Sequence, residues 1–104
     1  MKNYKVEYYP SAYTDLEKIG DYIAFTLCAP GAAINLIDKI QAAIEKLKAF
    51  PKTGKALDVV LPLKYAYRWL KVENYMIFYT LNENTSTISI VRILYGASDY
   101  LSEL

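Results

Sequence analysis

Beyond residue 66 the chain is dominated by β-branched and aromatic positions, interrupted by two polar breaks, Glu73-Asn74 and Asn82-Glu83-Asn84-Thr85-Ser86. Runs of this composition bounded by turn formers predict three consecutive antiparallel strands over 67–100. Alternation sorts their faces. Arg68, Leu70 and Val72 share one side and Tyr67, Trp69 and Lys71 the other. In the last strand Ile88, Ile90, Arg92 and Leu94 are expected on one side, with Ser89, Val91, Ile93 and Tyr95 opposite. Few of these positions are polar, so the middle of the sheet is expected to be covered on both faces.

The amino-terminal part supplies that cover. Residues 3–9 alternate, Tyr4, Val6 and Tyr8 against Lys5, Glu7 and Tyr9, and predict a first strand closed by Pro10. Ser11 is placed to cap a helix in which Ala12, Leu16, Ile19, Ile23 and Leu27 recur at three- and four-residue spacing, ending near Cys28. Ala29-Pro30-Gly31 breaks it. A second helix is predicted over 32–49, with Ala33, Leu36, Ile37, Ile40, Ala43, Ile44 and Leu47 facing inward. Residues 55–66 contain Pro62 and fit a short helical turn, an edge segment or an extended loop. The predicted order is β-α-α-β-β-β: an α+β fold in which a two-helix antiparallel hairpin packs on a largely antiparallel four-stranded sheet. One domain spanning 1–104 is expected.

Composition narrows the chemistry. The chain is 54% hydrophobic with eleven tyrosines, rings with a hydrogen-bonding end that suit interfaces as well as half-buried sheet faces. A formal charge of +1 lacks the basic field of a general nucleic-acid binder. The absence of histidine removes the commonest metal ligand and general base, so neither a metal nor a cofactor is expected. The single cysteine, Cys28, excludes an internal disulfide, fits a reducing cytoplasm and is expected to be a buried structural thiol. Neither a secretion signal nor an apolar run long enough to cross a bilayer is evident, which points to a cytoplasmic protein without a membrane partner.

The ordered pieces carry a resemblance. Ser11, Asp15-Leu16, Ile19 and Tyr22-Ile23 are followed by Pro30-x-x-Ala33 and by Leu47-x-x-Phe50-Pro51-x-x-Gly54. Then come Tyr67-Arg68-x-Leu70-x-Val72-x-Asn74-Tyr75-x-Ile77-x-Tyr79 and Val91-Arg92-x-Leu94-x-Gly96-x-x-Asp99-Tyr100. In this order the chain resembles, over nearly its whole length, the RelE/ParE superfamily of toxins from type II toxin–antitoxin pairs. The resemblance implies a growth-inhibiting, plasmid-stabilising type of toxin neutralised by a cognate antitoxin protein. It implies one of two targets: the ribosome with its mRNA, cleaved by RelE-like members, or DNA gyrase, poisoned by ParE-like members.

The residues favour the second branch. RelE-like ribonucleases commonly carry an arginine after the tyrosine that opens the third strand, where this chain has Met76, and another after the final glycine, where it has Ala97 and Ser98. ParE-like chains also often carry the latter. The leading expectation is therefore inhibition by binding, gyrase by analogy. The alternatives are a metal-independent endoribonuclease acting on mRNA in the ribosome, with Arg68, Arg92 and Tyr100 as catalytic groups, and a non-toxic antitoxin-binding relic.

Arg68 and Arg92 are the only arginines. Their planar forks suit a phosphate or an antitoxin carboxylate, or equally a local acid of the chain itself. Tyr67, Trp69, Lys71, Tyr75 and Asp99 are the candidates for contact with target or antitoxin, and each also has a packing, solvated or turn role open to it. An antitoxin tail that wraps the domain predicts exposed apolar surface on the isolated chain, and the sheet face away from the helices is the expected working surface.

Overall fold

The computed structural model describes residues 3–57, 66–96 and 104. Strand β1 (Lys5–Tyr8) leads into helix α1 (Pro10–Asp21), a π-helical turn (Tyr22–Thr26) and helix α2 (Pro30–Lys46). Strands β2 (Lys55–Ala56), β3 (Arg68–Val72), β4 (Tyr75–Asn82) and β5 (Thr87–Tyr95) follow. The predicted α+β layering is present, but the sheet has five strands, ordered β1-β5-β4-β3-β2, rather than four. The added β2 lies in the stretch whose sequence left three options open. Its two residues pair antiparallel with Arg68 and Trp69 at the sheet edge. β1 is parallel to β5, and every other pairing is antiparallel. Among the described residues, no helix is long and apolar enough to cross a membrane.

The main core lies between helices and sheet. Leu16, Ile40, Ile44 and Leu47 from the helical layer meet Ile77, Tyr79, Ile88 and Ile90 from the strands. Burial of apolar surface on this scale is the dominant stabilising term. A smaller cluster of Tyr67, Phe78 and Val91 covers the opposite sheet face, joined by Trp69, Met76, Leu94 and Leu104. Both faces therefore carry buried apolar residues at the centre of the sheet.

Four local expectations are corrected. α1 starts at Pro10, whose fixed φ suits the first helical position, and Ser11 caps nothing within the helix. After Asp21 the helix widens: Leu27 N–H reaches back five residues to Tyr22 C=O at 3.0 Å. One residue more per turn rotates the apolar stripe off the core, leaving Leu27 55% exposed. Cys28, at φ 53°, is exposed rather than buried.

The fourth concerns face order in β5. Phe78 pairs with Arg92 but Tyr79 with Ile90, so Val91 is one residue too many. This bulge flips the alternation. Ile88, Ile90 and Ile93 all join the helix-side core, while Val91 and Leu94 belong to the far-side cluster.

Candidate interaction site

Both arginines are held by the chain itself. β1 ends opposite Ile90, so the rest of β5 runs past it with an open edge, and α1 closes that edge with side chains. Ser11 Oγ donates to Val91 C=O at 2.7 Å, and the Asp15 carboxylate accepts Ile93 N–H at 2.9 Å. The same carboxylate takes Arg92 Nε at 2.7 Å and Nη2 at 2.9 Å, a two-pronged pair in which both side chains are largely withdrawn from water. Arg68, on the helix side of β3, donates to Gly54 C=O at 2.7 Å. Beside it Tyr79 OH accepts Gly54 N–H at 2.9 Å and donates to Pro51 C=O at 2.8 Å. Glycine is required here, since a Cβ at residue 54 would lie 2.5 Å from that hydroxyl and 2.8 Å from Trp69 O. Burial raises the Tyr79 pKa, opposed by the Gly54 hydrogen bond and the Arg68 charge.

The two guanidinium groups do not converge. Arg68 is anchored to Gly54 beside the edge strand β2, whereas Arg92 is anchored to Asp15 of α1 along β5. Tyr100 and Asp99, the remaining candidates at that end of the chain, lie outside the described residues.

Of the contact candidates, Trp69 and Lys71 share the far sheet face. They line a shallow depression of about 400 Å³ with Asn74, Met76, Tyr95 and Gly96. Lys55 Nζ stands 5.6 Å from the Trp69 ring centre, a cation–π distance. Tyr67 is buried in the cluster beneath. Tyr75 is on the other face, its ring edge-on to Tyr95 at 5.6 Å.

That other face holds a larger feature. A groove of about 1030 Å³ opens where α1, the π-helical turn and the first turns of α2 diverge from the β3–β4 turn and the end of β5. Its floor is apolar, with Ile19, Ile23, Leu36 and Ile93, and Tyr22, Tyr75 and Tyr95 stand around it. Burial raises the Tyr75 pKa, and the neighbouring phenols of Tyr95 and Tyr22 push the same way. Lys39 Nζ donates to Glu73 Oε1 at 2.6 Å, tying α2 to the β3–β4 turn and lowering the Glu73 pKa through the hydrogen bond and the lysine charge. Glu73 itself sits at φ 55°, an uncommon conformation for a residue with a side chain. Tyr22, Phe25, Leu27 and Ile34 are all more than half exposed at this end of the helical hairpin. The expected exposed apolar surface is therefore present, but beside the helices. Sequence reasoning singled out only Tyr75 among the groove residues. Tyr22, a bulky ring off the predicted apolar stripe, was the available signal.

The two arginines are thus engaged within the chain, and an apolar groove stands open beside the helices. Comparison with known proteins gives the family. Residues 6–100 match the model of the ParE toxin of the parDE type II toxin–antitoxin system. Toxin ParE1 of Mycobacterium tuberculosis is 30% identical over 90 residues, 86% of this chain and 87% of that protein. A chain of the chromosomal ParDE system of P. aeruginosa superposes with TM-score 0.71 at 20% identity, covering 88% of this chain and 95% of that one. A chain of the RelBE2 toxin–antitoxin complex of Mycobacterium tuberculosis gives 0.60 at 21% identity, covering 89% and 98%. A mutant of E. coli toxin RelE in the free state gives 0.62 at 9% identity, covering 97% and 92%. The chain belongs to the ParE toxin family of type II toxin–antitoxin systems.

Proposed function

We propose that this ParE-type toxin arrests growth in the cytoplasm by binding an essential target, DNA gyrase by analogy with the ParE branch, without cleaving RNA. A cognate antitoxin neutralises it. The observation that carries this reading is the engagement of both arginines, Arg92 by Asp15 and Arg68 by Gly54. Phosphoryl transfer on RNA needs cations aimed at the phosphorane-like transition state. Two guanidinium groups held by separate internal partners, Arg68 by Gly54 C=O beside the edge strand β2 and Arg92 by the Asp15 carboxylate of α1, do not supply that constellation. The open surface near Trp69 and Lys71 on the far face is the proposed contact for the target.

Inducible expression tests the proposal. Growth arrest is expected, with inhibition of gyrase supercoiling by the purified chain and intact ends on translated messages. New transcript ends within codons would overturn it in favour of a ribosome-dependent nuclease. Absence of arrest would leave an antitoxin-binding relic.

A further inference from the structure

On the far face of the sheet, positive charge gathers around the indole with nothing beside it to balance it. β3 reads Arg-Trp-Leu-Lys-Val, and alternation sets Trp69 and Lys71 next to one another on the same face. Lys55 of β2 pairs in register with Trp69, its Nζ 5.6 Å from the ring centre. Lys55 and Lys71 are therefore diagonal neighbours across the two strands, roughly 7–8 Å apart at the backbone, with the indole between them. Strands β2 to β5 contain no aspartate or glutamate. Neither lysine has an acidic partner among the described residues.

We infer that this patch receives an acidic segment of the target protein, with an apolar side chain set against Trp69 and carboxylates on either side of it meeting Lys55 and Lys71. The inference deepens the target contact proposed above and rests on that reading.

The apolar part of the match comes from the depression beside the indole. Trp69, Met76 and Tyr95 line it, and Gly96 adds no side chain; a Cβ there would stand 3.8 Å from Met76 Cγ. Tryptophan, tyrosine and methionine are the residues that protein interfaces concentrate, and a central tryptophan carries a large share of the binding energy. Cations at the rim steer acids toward such an anchor and reject basic partners.

Nucleic acid fits less well. A single strand needs a basic channel that follows its backbone, each phosphate contact adding a cation. Here two lysines stand beside a depression of about 400 Å³ in a chain of formal charge +1, which suits side chains rather than a run of phosphates.

Two measurements on the full chain test the inference. In the first, inhibition of gyrase supercoiling is titrated with the wild type, Lys55→Glu, Lys71→Glu and the double variant, all at exposed positions. The double variant is expected to raise the concentration for half-inhibition by roughly 10-fold or more, each single variant by less, and added salt should weaken the wild type. Lys46→Glu on α2, away from the patch, should inhibit as the wild type does. Affinity for the product of the adjacent antitoxin gene should be the same in every far-face variant. The second measurement uses Trp69, the chain's one tryptophan, as the reporter. A tryptophan-free peptide with an apolar residue between two glutamates should shift its emission and saturate, and the double variant should abolish the response. Wild-type inhibition by the double variant, or a fall in its antitoxin affinity, would overturn the inference. So would a Trp69 response to a single-stranded oligonucleotide and none to the peptide, which would give the patch to nucleic acid. If the wild type fails to inhibit gyrase while the peptide response is present and depends on the lysines, the gyrase reading falls and the acidic-segment assignment stands.

Discussion

Removing the Asp15 carboxylate is the most informative perturbation of this fold. The group accepts three hydrogen bonds, two from Arg92 and one from Ile93 N–H, and its side chain is 9% exposed against 20% for Arg92. Asp15→Ala takes the carboxylate from a guanidinium group that water reaches only in part, and it also orphans a backbone donor. Breaking a desolvated pair from one side costs about 3–5 kcal/mol, and the partial exposure of Arg92 argues for the lower end, about 3 kcal/mol. For a domain of this size that is a fall in melting temperature of roughly 12–24 °C. Arg92→Ala leaves the carboxylate with Ile93 N–H and should cost less. In a double-mutant cycle the two changes should couple by about 1–3 kcal/mol. The assay is urea unfolding of wild type, both single variants and the double variant, followed by tryptophan fluorescence at Trp69. If Asp15→Ala cost under about 1 kcal/mol and the two changes added, the pair would be behaving as a solvated surface contact. The claim that Arg92 is held for structure would then fall.

Other consequences follow from the same contacts. Tyr79→Phe keeps the ring in the core but removes the partner of Gly54 N–H and of Pro51 C=O, and should cost about 1–3 kcal/mol by chemical denaturation. Gly54→Ala should also destabilise, by about 1–3 kcal/mol, because its Cβ has no room against Tyr79 and Trp69 O. The phenols of Tyr8, Tyr75 and Tyr79 all titrate above their ordinary 10.0 in the folded state. The folded chain therefore holds protons that the unfolded chain has released. Stability should be fully present below pH 10 and fall as pH rises through the folded values, a slope that Tyr79→Phe makes shallower in denaturant midpoints measured across alkaline pH. Ile40→Ala, at a fully buried position, should cost about 2–5 kcal/mol, checked by the same unfolding curves.

Much of the architecture was legible before any coordinates. Periodicity placed the first strand, both helices and the last three strands, because each buries a face whose spacing is written locally. The stripe of Leu16, Ile19, Ile40 and Ile44 is core as its spacing required. Composition also excluded histidine-based metal chemistry, since no such ligand exists in the chain.

The site was far less legible. Arg92 carried the same local signal whether it was to hold a phosphate or an acid of its own chain, and its partner proved to be Asp15, 77 positions away. The extra residue Val91 and the widened turn after Asp21 each shift a face by one position, and alternation counted along one segment cannot register such a shift. Both deviations are settled by what packs against them: α1 closing the edge of β5, and the helical hairpin leaving the sheet to open the groove. Sequence fixes which residues seek burial or a partner within a few turns of chain; which partner each one meets depends on distant segments arriving together, and only the folded whole decides that.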